Sequence, residues 1–316
     1  MLIHFSRNPV MQFVGIAYYN IWSILAFIIV GTVPTILCIV LEWHFLKMDM
    51  VPVSILGGAL AIFLGFRNNS AYDRWWEARK IWGGIVNYSR TFAMQVMSFP
   101  SGNFSQGEVP ESARKEWQRD MIMRHLAWLY GLNMHLRKQF DWNKLDDYIS
   151  KEEVERIKAL ANKPTQLINT QGQKLKEGFE KGHIDSFRHV EMARVQEEFY
   201  NLQGKAERIK NTVFPFYYNY FTKVFLWIFI ICLPLGLVDK MHWGTIPMVA
   251  AISFVFFILD KSGTITENPF EGRAADTPIT TIVRAIERDL LEILGEEKIP
   301  ESLPAKVGRF GVVYQD

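Results

Sequence analysis

The sequence predicts an all-α, four-span membrane protein in which one long helix continues out of the bilayer into a large helical cytoplasmic region. Three observations carry that prediction. Four long stretches contain no Asp, Glu, Lys or Arg, 33 of the 35 Lys and Arg lie outside the two short loops joining paired stretches, and the period-two alternation of half-buried strands is nearly absent. Averages conceal this. Over 316 residues the chain is 49% apolar and 22% charged, with a formal net charge of +2 and a mean hydropathy of +0.02. Basic residues are not in excess, so no nucleic-acid partner is expected. Cys38 and Cys232 both sit in apolar runs and build no disulfide framework.

Residues 1–20 read as an interfacial N-terminal segment anchored by Tyr18 and Tyr19, because the uncharged run from 8 to 41 is too long for a cleaved signal core. Residues 21–98 hold the first two transmembrane helices. The stretch 21–41 is long enough to cross roughly 30 Å of hydrocarbon, whereas 50–66 is short and needs protein shielding. From Phe66 to about Val96 no strong breaker intervenes, so the second helix is expected to leave the membrane and continue.

Residues 99–222 form a cytoplasmic helical region. After a loop at 97–110, helices are expected at 111–139, at 151–161 behind a Ser150/Glu153 capping box, at 164–181 with Pro164 in the first turn, and at 185–211. Residues 223–260 carry the third and fourth spans, with uncharged runs at 224–238 and 241–259. Pro34, Pro234 and Pro247 read as tolerated kinks, and Trp22, Trp43, Trp227 and Trp243 lie near run ends, where indoles prefer the headgroup boundary. The cytoplasmic segment 261–316 holds a helix capped by Asp276 or Thr277, opened by Pro278 and closed by Gly295. Only Lys47 and Lys240 fall in the two short loops, so the positive-inside rule puts both termini in the cytoplasm of a multi-pass inner-membrane protein.

Chemistry-bearing motifs are missing: there is no phosphate-binding loop, dinucleotide fingerprint, nucleophile elbow, zinc-protease motif or paired CxxC. His183, His189 and Glu191 have no metal-ligand spacing and read as a solvated helix face, and His125 and His135, ten apart, share no ligand position. No enzyme activity, cofactor or metal is expected. What stands out is the end of the second run. Gly58, Ile62 and Phe66 are spaced by four and share one helical stripe, which suits either packing against a neighbouring helix or an apolar constriction that gates by dewetting. Arg67, Asn68, Asn69 and Tyr72 follow one turn below and would present donors to a permeating ion. Arg74 with Trp75 can instead anchor the helix at the interface, and Asp73 and Glu77 can pair with Arg74 and Lys80 along its surface.

The stretch LGFRNNSAYDRWWEARKIWG at 64–83, with PFYY at 215–218 and ENPFEG at 267–272, resembles the bestrophin family and its bacterial members over roughly residues 10–295. That resemblance implies a homopentameric ion channel with one central pore. Its register puts the family's neck on Gly58, Ile62 and Phe66, with Gly58 departing from the bulky residue usual there. It puts a cytoplasmic aperture at 183–187, lined by Ile184 with Phe187 next. Glu271 and Asp276, separated by Arg273, offer too few oxygens for calcium, so no calcium activation is expected. The function implied is passive conduction of small monovalent ions. Arginine near the mouth and the family's commoner behaviour lean toward anions such as chloride; a monovalent-cation channel and a non-conducting scaffold docking a soluble partner are the alternatives. The partners implied are membrane lipid, the permeating ions and further copies of the same chain.

Overall fold

The computed structural model describes residues 9–100, 109–139, 141–212 and 216–316. Parts of three expectations, the N-terminal interfacial segment, the loop at 97–110 and the PFYY motif, lie outside them. Among the described residues ten α-helices follow in order: α1 (Pro9–Tyr19), α2 (Ile21–Ile39), α3 (Met50–Ser98), α4 (Glu111–Leu136), α5 (Lys151–Lys158), α6 (Lys163–Glu180), α7 (Ser186–Asn211), α8 (Phe216–Met241), α9 (Thr245–Thr266) and α10 (Ile279–Leu294). Two-residue strands β1 (Lys306–Val307) and β2 (Val313–Tyr314) pair antiparallel after them.

Two cores are stacked end to end and share one helix. The first gathers α2, the start of α3, α8 and α9 around Phe27, Leu60, Leu64, Phe229, Leu233 and Val249. Its outside is apolar as well, with Ile29, Val33, Ile55, Ile231 and Val255 exposed, as a bilayer solvent requires. Among the described residues three helical stretches are long and apolar enough to cross a membrane, and the last, Tyr217–Thr266, breaks at the turn His242–Gly244 into α8 and α9. That makes four crossings. Pro34 and Pro234 lie inside α2 and α8, but Pro247 falls in the first turn of α9, where its missing N–H costs no intrahelical bond; it is a helix start and not a kink. The first short loop is tied to the C-terminal end of α8, Lys47 Nζ lying 2.8 Å from Asp239 Oδ1 and Met48 N donating to the Leu235 carbonyl at 3.1 Å.

The second core wraps α4, α6, α7 and α10 around the rest of α3 and contains Trp82, Ile85, Phe92, Trp128, Phe199 and Val283. Because α3 is unbroken for 49 residues, about 74 Å at 1.5 Å per residue, it serves both cores. Its buried residues change from Val53, Leu60 and Leu64 to Ala78, Ile81 and Trp82 without a gap. Ser150 accepts from Glu153 N at 3.3 Å, but the Glu153 carboxylate turns to Arg124 Nη1 at 2.6 Å, so the capping box is half made. Asp276 does not cap α10; it accepts from Arg273 N at 3.1 Å and caps the preceding turn, and Pro278 occupies the cap position. Gly295 ends α10 in the left-handed region at φ +81°.

At the centre of the second core His125 is fully buried between Phe92, Trp128 and Phe199, with centroid separations of 5.2, 5.2 and 4.5 Å. Ser89 Oγ donates to the Ile85 carbonyl and faces His125 Nε2 at 2.9 Å. Burial pushes the imidazole down to about 3, outweighing a smaller opposing influence of the Gln171 side chain. Above pH 6.5 both folded and unfolded chains carry it neutral. Between 6.5 and 3 only the unfolded chain takes up the proton, so stability falls as pH is lowered through that window. We expect thermal melts at pH 7 and pH 5 to differ more for the native protein than for His125→Gln, by about 2 kcal/mol; an unchanged pH dependence in the variant would refute this.

Candidate pore-lining site

Helix α3 sorts its residues onto two faces at the end of its apolar stretch. Leu60, Leu64, Arg67 and Ala71 turn inward and are buried, whereas Gly58, Ile62, Phe66, Asn69 and Tyr72 turn outward along one stripe. Ile62 is 64% and Phe66 63% exposed in the subunit. The adjacent glycines divide in the same way. A Cβ on Gly57 would come within 2.7 Å of the Phe229 ring, so that glycine lets α8 approach, whereas a Cβ on Gly58 would meet nothing within 4 Å. Behind the stripe Phe63 stacks on Tyr218 at a centroid separation of 4.4 Å, fixing the roll of α3 from the opposite side.

Arg67 corrects the expectation that it lines the same surface. It is 1% exposed, its Nη1 bonds Asp260, and its Nη2 donates to Thr264 Oγ1 at 2.7 Å and lies 3.6 Å from Glu267 Oε2. One residue is 100° of helix, enough to carry Arg67 from the outward stripe to the α9 side. Asn68 is half-buried against α9 at Gly263, so of the four polar residues only Asn69 and Tyr72 stay exposed. The Asp260 and Glu267 partners were not singled out as site residues from sequence. The signal was present in the fourth apolar run, which ends abruptly on Asp260, because an ionisable group at a membrane boundary needs a partner.

The Arg74-Trp75-Trp76 motif stitches elements together. Arg74 does not pair along its own helix; its Nη2 donates to the carbonyls of Ile209 and, at 2.7 Å, Thr212, closing the C-terminal end of α7. Burial lowers the Arg74 pKa, and Glu267 works against that. Trp75 Nε1 donates to the Ala275 carbonyl at 3.0 Å, while Glu77 pairs with Lys80 at 2.6 Å as expected of a surface pair. In the loop after α9, Phe270 is buried, Thr277 N donates to the Pro269 carbonyl at 3.1 Å, and Glu271 lies 2.8 Å from Lys210 Nζ.

At the start of α7 the expected aperture residues separate. Ile184 is 1% exposed and belongs to the second core, which corrects its assignment as the lining residue. The turn places His183 N on the Gly178 carbonyl at 2.8 Å and stacks the His183 ring on Trp117, drawing Ile184 inward with them. Asp185 caps α7, accepting from Arg188 N at 2.9 Å, and Phe187 projects outward at 84% exposure.

The fold and stripe define a class: an all-α membrane protein whose second span carries an unpartnered apolar band into an extramembrane helical bundle. The bacterial/fungal bestrophin family matches residues 10–292, and the chain belongs to it. It is similar to the voltage-dependent anion channel-forming protein YneE of Escherichia coli K12, 31% identical over 83% of this chain and 84% of that protein. It is likewise 31% identical to the voltage-dependent anion channel-forming protein mll4386 of Mesorhizobium japonicum, over 82% of this chain and 79% of the relative. Among solved structures, a bacterial bestrophin homolog from Klebsiella pneumoniae aligns with a TM-score of 0.81 at 27% identity, covering 88% of this chain and 99% of the other.

The Arg67 cluster has a measurable consequence. Removing the guanidinium leaves Asp260 and Glu267 buried and unpaired, so Arg67→Met is expected to destabilise the purified protein by about 3–5 kcal/mol. Asp260→Asn added to Arg67→Met should recover part of that loss in a thermal melt, and additive losses in the double variant would refute the pairing.

Proposed function

We propose that the chain forms a homopentameric channel that conducts small monovalent ions passively, chloride-like anions in preference, across the inner membrane, with both termini in the cytoplasm. The carrying observation is the outward stripe of α3. Gly58, Ile62 and Phe66 project from the subunit in one row, and Asn69 and Tyr72 continue the row in polar form. Repeated about a symmetry axis, Ile62 and Phe66 become apolar rings that an ion passes only by shedding water, so wetting of the neck gates it. The Asn69 amide and Tyr72 hydroxyl receive the ion below, and Phe187, not Ile184, rims a second constriction at the start of α7.

Anion preference draws its support from the relatives described as voltage-dependent anion channel-forming. Arg67 does not add to it, because its charge is taken up by Asp260 and Glu267 inside the subunit. Amide and hydroxyl donors suit an anion without excluding a cation. The balance of positive charge in the sequence supports the orientation.

The test is a planar-bilayer recording of the purified full chain under a salt gradient. A reversal potential on the anion side is expected; one on the cation side would overturn the selectivity, and silence across several salts would overturn conduction. Ile62→Ala and Phe66→Ala should each raise conductance or open probability several-fold, whereas unchanged currents in both would make the stripe ordinary packing.

A further inference from the structure

A cavity of about 710 Å³ opens between α1, the end of α9 and the turn joining β1 to β2, away from the outward stripe of α3. That volume lies within the roughly 300–1,000 Å³ of small-molecule sites. Ile16, Tyr19, Ile258, Ile265 and Phe310 make most of its wall. Among the described residues, Lys261 and Arg309 are its charged lining residues and no carboxylate lines it. Lys261 Nζ is held by Asn20 Oδ1 at 2.6 Å and lies 5.8 Å from the Phe257 ring centroid, while Arg309 is exposed and has no ion-pair partner among the described residues. The outer wall is a wedge: Phe310, at φ +59°, sets its ring 5.4 Å from Tyr18 and 5.9 Å from Tyr19.

Position narrows the occupant. Lys261 lies two residues past the last apolar run, at the bilayer boundary on the side of the helical bundle, and α1 carries exposed Val14, Ile16 and Tyr18 beside the opening. An apolar slot continuous with hydrocarbon, with two cations at its polar mouth, complements an acyl chain bearing an anionic headgroup. We propose that this cavity binds one anionic phospholipid from the bundle-side leaflet, its phosphate between Lys261 and Arg309 and a chain against Ile258, Ile265 and Phe310. The lipid would thereby join the β1–β2 turn to α1 and α9.

The experiment is native mass spectrometry of the delipidated full-length assembly titrated with phosphatidylglycerol or phosphatidylethanolamine of identical acyl chains. Phosphatidylglycerol adducts are expected at concentrations roughly tenfold lower or more, given two cations near the membrane surface. Lys261→Gln with Arg309→Gln should erase that preference while leaving the melting temperature in place. Ser262 also lines the cavity, so Ser262→Trp, which fills the slot and keeps both cations, should lose the adducts altogether. Equal binding of the two lipids, or full adducts in Ser262→Trp, would overturn the site. So would loss of the oligomer mass in the glutamine pair without loss of lipid, because a second copy would then occupy the groove.

Discussion

The buried ion cluster of Arg67 with Asp260 and Glu267 is the constraint on which the rest of the structure depends. It lies where α3 stops being apolar on all sides, and it ties that point to the end of α9, 193 residues later. A guanidinium there is tolerable only with carboxylates beside it, and Thr264 Oγ1 accepts a further hydrogen bond from its Nη2. The match orients α3 about its own axis. With Arg67 turned inward, Ile62 and Phe66 must turn outward, and Asn69 and Tyr72 follow on the same side. The Phe63 and Tyr218 stack and the close approach of Gly57 to Phe229 hold the same orientation from the α8 side.

That orientation passes undiminished into the extramembrane bundle because α3 does not break. Trp75 reaches the loop after α9 and Arg74 closes the end of α7, so the residues just below the boundary hold both later elements to the same helix. Farther along, Trp82, Ile85 and Phe92 become the floor on which α4, α7 and α10 pack. The two cores are therefore parts of one object, and α7, whose far end presents Phe187, is fixed relative to the α3 stripe by its own packing on α3 and by Arg74.

Much of this was legible in the sequence. The four spans show because hydrocarbon tolerates no charge, and the length of α3 shows because nothing between Met50 and Ser98 ends a helix. The stripe spacing of Gly58, Ile62 and Phe66 was visible too, but its direction was not, because a helix apolar on every side carries no phase. Arg67 departs from its expected place for a related reason: its partners are remote in sequence, and local spacing cannot tell a buried arginine from a lining one. Register alone favours Ile184 over Phe187, but it runs through a turn, where a shift of three residues exchanges core for solvent. The structure assigns them from the Asp185 cap and the His183 and Trp117 stack, contacts with no sequence periodicity.

The cluster also limits how the neck proposed above can change width. Phe66 and Arg67 are consecutive, so rolling α3 far enough to withdraw Phe66 from the stripe would pull Arg67 from Asp260 and Glu267. That rupture costs about 3–5 kcal/mol per subunit and would multiply with the number of copies moving together. A change in the Ile62 or Phe66 rotamer leaves the cluster intact and costs about 1 kcal/mol or less when the side chain passes between staggered wells. Tilting α3 about the Arg67 anchor also spares the ion pairs, and it moves Ile62 more than Phe66 because Ile62 lies farther from the pivot. With the ion cluster as a fixed point, the residue nearest the anchor is the stiffest part of the stripe, and freedom increases toward Gly58, where no side chain is present to obstruct.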